Sequence, residues 1–169
     1  MSARVAVVVG NPKPRSRTHA AAVHVARELT GAAPGLVVDL VDLGAGLLDW
    51  SDPSVDAVVE EVRRADLVVV ASPTYKATYT GLLKVFLDRF PAGALRDVVA
   101  VPLMLGAGPA HALAPELTLR PVLTELGATV PVRGAYVLDA AYDDPSAYAD
   151  WLAAARPVVA TLLPEGVAA

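Results

Sequence analysis

The stretch that decides the fold is Val5-Ala6-Val7-Val8-Val9-Gly10-Asn11-Pro12-Lys13-Pro14-Arg15-Ser16-Arg17-Thr18. Five apolar residues in a row, without alternation, read as a strand covered on both faces. A turn rich in Gly and Pro follows. Ser16 or Thr18 then stands where a helix N-cap belongs, ahead of a run with helical spacing. Strand, tight loop and helix together form the opening of a βαβ unit.

Working outward, the same pattern recurs four more times. Strands are expected over residues 5–9, 36–41, 67–71, 98–105 and 129–138, and helices over 18–32, 53–64, 81–90, 109–126 and 146–163. Five β-α repeats imply a parallel sheet with right-handed crossovers and helices on both faces, an α/β three-layer sandwich. The flavodoxin-like strand order 2-1-3-4-5 accommodates five strands without a sixth. Residues 1–169 are expected to form a single domain, with only 164–169 reading as a frayed tail.

A chain of 169 residues can bury a substantial core; at such a size roughly 68–70% of the unfolded surface disappears on folding. Hydrophobic residues make up 54% and charged residues 19%, an excess of apolar surface that favours a homodimer or homotetramer. The net charge of −4 and the lack of a Lys/Arg run argue against nucleic acid or an anionic membrane as partner. With no cysteine, disulfides, thiolate metal sites, thiol nucleophiles and Fe–S ligation are excluded, so any redox chemistry belongs to a bound cofactor. The N-terminus lacks a cleavable signal pattern and no apolar stretch is long enough to span a bilayer, which makes a cytoplasmic location the expectation.

In such sheets ligands lie outside the carboxyl ends of the strands, where strand order reverses. The loop after the first strand holds Asn11, Lys13, Arg15, Ser16, Arg17 and Thr18. Free N–H groups at a helix start, hydroxyls and cations together suit a phosphate monoester. A plainer reading makes Ser16 or Thr18 an N-cap and Pro12 and Pro14 loop stiffeners. Neither G-x-G-x-x-G nor G-x-x-x-x-G-K-[ST] is present, which points away from dinucleotides and nucleoside triphosphates and toward a mononucleotide. The loop after the third strand leaves at Pro73 and presents Thr74, Tyr75, Lys76, Thr78, Tyr79 and Thr80. It offers π-faces and backbone donors to a flat heteroaromatic ring, or else is an ordinary surface loop.

Side-chain catalysis finds little support. His19, His24 and His111 are scattered, no G-x-S-x-G or H-E-x-x-H occurs, and Asp139, Asp143 and Asp144 read as a solvated turn, so neither a catalytic side chain nor a metal site is expected.

Taken together, Gly10-Asn11-Pro12-Lys13…Ser16-Arg17-Thr18, Pro73-Thr74-Tyr75-Lys76…Tyr79-Thr80-Gly81-Leu82-Leu83-Lys84, Gly106-Ala107-Gly108-Pro109-Ala110-His111 and Leu119-Arg120-Pro121-Val122-Leu123 resemble the NADPH-dependent FMN reductase family. The likeness is greatest to the FMN reductases of two-component alkanesulfonate monooxygenase systems, and it extends to about residue 138. It implies FMN and NAD(P)H as cofactors, hydride transfer between them, and a flavin-dependent monooxygenase as a possible partner. By the same resemblance Asn11, Lys13, Ser16, Arg17 and Thr18 wrap the FMN phosphate. Pro73, Thr74, Tyr75 and Lys76 border the flavin ring, and Gly106, Ala107 and Gly108 line its other edge. His111 stands either near the nicotinamide or solvated in a first helical turn. The alternatives are a flavodoxin-type electron carrier and an NAD(P)H:quinone or azo reductase.

Two local features stand apart. Pro121 lies within the fourth helical segment, where it lacks an N–H and crowds the carbonyl of Leu117, so the helix must bend or widen. In the alkanesulfonate-type reductases this turn carries an inserted tyrosine that creates a π-bulge at a subunit interface; here Glu116-Leu117-Thr118-Leu119 has none, which puts free release of FMN in doubt and leaves a tightly held FMN passing electrons to another acceptor as the alternative. The helix over 81–90 is apolar nearly all round except for Lys84, Asp88 and Arg89, as a helix meeting a second subunit would be. Lys84 and Asp88, four apart, can pair along it.

Overall fold

The computed structural model describes residues 3–164. Strands β1 (Val5–Val9), β2 (Leu36–Asp39), β3 (Leu67–Pro73), β4 (Val99–Gly106) and β5 (Ala135–Leu138) form one sheet in the order β2-β1-β3-β4-β5. Every pairing is parallel, with Val7 opposite Val37 and Val69, and Val69 opposite Val101. This is the flavodoxin-like arrangement.

Successive side chains of a strand point to opposite faces, and both faces here are dry. Val5, Val7 and Val9, with Leu67, Val69, Ala71, Val101, Leu103 and Leu105, pack against helices α1 (Arg17–Thr30) and α5 (Ser146–Ala160). Ala6 and Val8, with Val68, Val70, Ala100 and Met104, meet α2 (Pro53–Arg63), α3 (Gly81–Leu87) and α4 (Arg120–Glu125). A continuous run such as Val5–Val9 is therefore required, because each residue serves one of two cores. Arg156 ties the two helices of the first layer, donating from Nε to the Glu28 carbonyl at 2.6 Å.

Several elements are shorter than their sequence suggests. The second strand ends at Asp39, and residues Leu40–Leu48 form 3₁₀ turns interrupted at Gly44, which has φ +53°. The third helix stops at Leu87. The segment expected as one helix over 109–126 is three pieces: a 3₁₀ turn Pro109–His111, a π-helical turn Pro115–Leu119, and α4. The Arg120 amide reaches back five residues to the Pro115 carbonyl, so the turn widens immediately before Pro121 and without any inserted tyrosine. The fifth strand begins only at Ala135: a lone bridge joins Thr129 to Val99, and then Arg120 donates to the carbonyls of Val130 and Val132, at 2.8 and 3.0 Å, holding that stretch out of the sheet. The expectation of a frayed tail lies, beyond Pro164, outside the described residues. Among the described residues no helix is long and apolar enough to cross a membrane.

Candidate functional site

Three loops meet at the carboxyl edge of the sheet. The first leaves β1 at Gly10, whose amide still donates to the Ala71 carbonyl at 2.8 Å. A Cβ on Gly10 would lie 2.5 Å from the Leu83 Cβ, so only glycine lets α3 approach this closely. Asn11, buried, spans the loop: its Nδ2 donates to Thr18 Oγ1 at 3.0 Å and its Oδ1 accepts from the Lys13 amide at 2.9 Å. Ser16 is the N-cap of α1, accepting from the His19 amide at 3.2 Å. The first-turn amides of Arg17 and Thr18 have no carbonyl one turn earlier to bond, which leaves them with the positive end of a 14-residue helix available to an anion. Lys13 and Arg17 are exposed at the rim, the Arg17 guanidinium lying 5.7 Å from the centre of the Tyr142 ring. Arg15, which the sequence groups with these cations, turns to Asp39 and Asp42 instead.

The second loop follows β3. Ser72 is wholly buried and its hydroxyl donates to the Pro73 carbonyl at 2.8 Å while accepting from the Thr80 amide at 3.0 Å. Thr80 caps α3 and donates its own hydroxyl to the Gly10 carbonyl at 2.5 Å, fastening this loop to the first. Between them, Tyr75 and Thr78 exchange backbone hydrogen bonds at 2.8 and 3.2 Å around Lys76 and Ala77. Both central residues have positive φ, +52° and +67°, a conformation that costs a non-glycine residue about 1–2 kcal/mol. Tyr75 and Lys76 are exposed on this turn, whereas Pro73 is buried and Thr74 half-buried.

The third loop leaves β4 at Gly106 and turns at Gly108 into the 3₁₀ turn that carries His111. Ala107 and His111 are exposed, and His111 lies at the far end of that turn. Nothing lies within 4 Å of the place where a Cβ on Gly108 would point.

Sequence reasoning missed Tyr136. Its hydroxyl donates to the Gly108 carbonyl at 2.7 Å and fixes the third loop against β5. Burial raises its pKa, Asp139 adds to that, and Thr74 opposes it. Thr74 Oγ1 is near enough to be felt in that acidity, yet it is buried without a hydrogen bond of acceptable geometry. Thr74 thus packs beside the Tyr136 hydroxyl under the third loop. Asp39, also missed, could be suspected only as the one acid within the apolar run 36–41.

All thirteen residues singled out from the sequence therefore lie on these three loops, on the last strand residues they leave or on the first turns they lead into: Asn11, Lys13, Ser16, Arg17 and Thr18; Pro73, Thr74, Tyr75 and Lys76; and Gly106, Ala107, Gly108 and His111. Two cavities border other parts of the described residues. One of about 500 Å³ is bordered by Arg4, Thr30, Gly35 and Arg64 at the opposite edge of the sheet, and one of about 220 Å³ lies between His24 and Tyr148. The first lies at the amino ends of the strands, away from where this architecture places its ligands; the second is lined by Ala20 and His24 of α1 and by Tyr142, Asp143 and Pro145 beyond β5.

The family described as NADPH-dependent FMN reductase matches residues 3–143. The chain is 39% identical over 90 residues to an FMN reductase (NADPH) of Escherichia coli strain K12, a match covering 53% of this chain and 47% of that protein. The chain thus spans about half the length of that relative. An FMN reductase (NADPH) of Pseudomonas aeruginosa is 36% identical over 148 residues, covering 83% of this chain and 78% of the relative. Among solved structures, the apo form of the NADH:FMN oxidoreductase EMOB superposes with a TM-score of 0.87 at 30% identity, covering 97% of this chain and 91% of the other.

Proposed function

The chain belongs to the NADPH-dependent FMN reductase family, and from that premise we propose that it reduces FMN with NADPH or NADH. The observation that carries this is the fastening of an anion-ready helix start to the Tyr75–Thr78 turn by the bond from Thr80 to the Gly10 carbonyl. The residues present fit the mononucleotide. Asn11, Lys13, Ser16, Arg17 and Thr18 would hold its phosphate. Pro73, Thr74, Tyr75 and Lys76 would border one edge of the ring, and Gly106, Ala107 and Gly108 the other.

Bound FMN supplies a ring that accepts hydride from a nicotinamide. The chain's own task is to hold two flat rings in contact and exclude water, for which no nucleophile or proton donor among its side chains is needed. The strained turn at Lys76 and Ala77 brings the Tyr75 ring and the Lys76 ammonium to the rim of this space, and His111 stays solvated on the other rim.

In this reading residues 1–169 form a single FMN-binding domain that works as a homodimer or homotetramer in the cytoplasm. Its product is reduced flavin for a flavin-dependent monooxygenase, or electrons for a small acceptor if the flavin stays bound. The names of the relatives include both NADPH and NADH, so both nicotinamides belong in the test. Purified protein is mixed anaerobically with each nicotinamide, with and without added FMN, while flavin absorbance is followed. Bleaching of added FMN supports the reductase; bleaching of co-purified flavin alone identifies a tightly held cofactor; absence of bleaching in every mixture refutes the proposal.

A further inference from the structure

Asp39 is the last residue of β2 and the register partner of Val9, the last residue of β1, so its carboxylate stands at the root of the first loop. Its side chain is only 4% exposed. Oδ2 accepts from the Arg15 amide at 2.8 Å and from the Arg15 guanidinium at 3.4 Å, while Oδ1 is buried with no partner. This places a half-satisfied buried anion against Arg15, the residue that precedes the N-cap Ser16, and so close to the start of α1. A like charge at that position opposes any phosphate bound there, and burial weakens the screening that would hide it.

Arg15 answers that charge. Its guanidinium also meets Asp42 at 2.5 Å, and these two carboxylates raise its pKa, the Asp42 hydrogen bond most of all. The residue is held at φ +51°, the conformation in which its amide meets the Asp39 carboxylate. With Arg15, three cations of the loop (Lys13, Arg15 and Arg17) stand against Asp39 and Asp42; without it, Lys13 and Arg17 merely balance them.

We propose that Arg15 makes this site selective for phosphorylated flavin by cancelling the charge of Asp39, and does so without binding the phosphate itself. Arg15 is thus a positioning and charge-compensating residue. The inference rests on the reading of residues 10–18 as the phosphate site.

The test compares FMN with riboflavin, which shares the ring and sugar chain but lacks the phosphate, by quenching of flavin fluorescence on the full chain. The unaltered protein is expected to bind FMN more tightly than riboflavin. Arg15→Ala should weaken FMN by about ten-fold or more and riboflavin by less than about two-fold, since only the phosphate feels the uncovered carboxylate. Arg15→Lys, which keeps the charge, should retain most of the preference, and Arg15→Ala/Asp39→Asn should recover most of the lost FMN affinity. Riboflavin binding reports that each variant is folded. A variant Arg15→Ala that keeps its preference, or that loses both ligands equally, overturns the proposal, as does a double variant no better than Arg15→Ala. Asp39→Asn alone should bind FMN at least as well as the unaltered chain, and a loss there also overturns it. Equal affinity of the unaltered protein for both flavins would instead refute the phosphate site, and the proposal with it.

Discussion

The Tyr136 hydroxyl stands 2.0 Å from the point where a Cβ on Gly106 would lie, so this tyrosine leaves room only for a glycine there. The same hydroxyl holds the Gly108 carbonyl, and one contact thereby shapes the whole loop after β4. Gly106→Ala should push the tyrosine aside and weaken FMN binding, measured by fluorescence titration. Tyr136→Phe should cost about 1 kcal/mol of unfolding free energy, the usual worth of one hydrogen bond. Combined with Gly106→Ala, it should restore only part of the binding, because the ring carbon Cζ remains 2.9 Å from the added methyl.

Removing the cap of α1 separates local stability from ligand binding. Ser16→Ala deletes the acceptor for the His19 amide. It should lower stability in urea by about 1 kcal/mol, the typical cost of losing a serine cap. Because Ser16 also lies in the proposed phosphate loop, FMN should weaken more than riboflavin.

The turn at Lys76 and Ala77 predicts a gain. Ala77 sits at φ +67°, where glycine carries no steric penalty. Ala77→Gly should raise the unfolding free energy by up to about 1 kcal/mol in chemical denaturation, less what the freer unfolded chain takes back. Ala77→Val, with a branched side chain in the same conformation, should lower it.

Alkaline titration should single out Tyr148. This ring is 1% exposed, donates its hydroxyl to the Tyr142 carbonyl at 2.6 Å, and has its pKa pushed up to about 12 by burial and by Asp143. The folded state therefore holds this proton more tightly than the unfolded chain, whose tyrosine ionises near 10. The stabilisation is complete below about pH 10 and is lost as pH rises toward 12. Following tyrosinate absorbance against pH, Tyr148→Phe should remove the last ionisation, and its stability should fall less steeply than that of the unaltered protein across that window.

The sheet was legible because its signal is local: each Val-rich run carries its own evidence, and five such runs with helices between them leave few topologies. The three loops were legible for the same reason, being fixed by strand order. What escaped depends on residues far apart in the chain. Tyr136 matters through Gly108, and Arg15 is withdrawn from the ligand by Asp39 and Asp42, which no inspection of residues 10–18 discloses. The sequence places the start of the fifth strand six residues too early because Val130 and Val132 extend the Val-rich pattern, whereas Arg120 holds that stretch away from the sheet and Gly134 must pass 2.8 Å from the Pro115 Cβ at the point where a Cβ would sit. Pro121 did announce a widened turn, but the π-helical form it takes depends also on Pro115.

The bond from Thr80 to the Gly10 carbonyl, with the glycine contact to Leu83 beneath it, ties the first loop and the second into one unit. Such a unit acts as a gauge. In the proposed binding mode, a ligand that seats its anionic end on α1 would have the span to the Tyr75 turn already set for it, so the site would measure the spacer between phosphate and ring as well as their chemistry. Flavins whose sugar chain is shortened by one carbon should then fail to reach both ends, even with every polar contact still on offer.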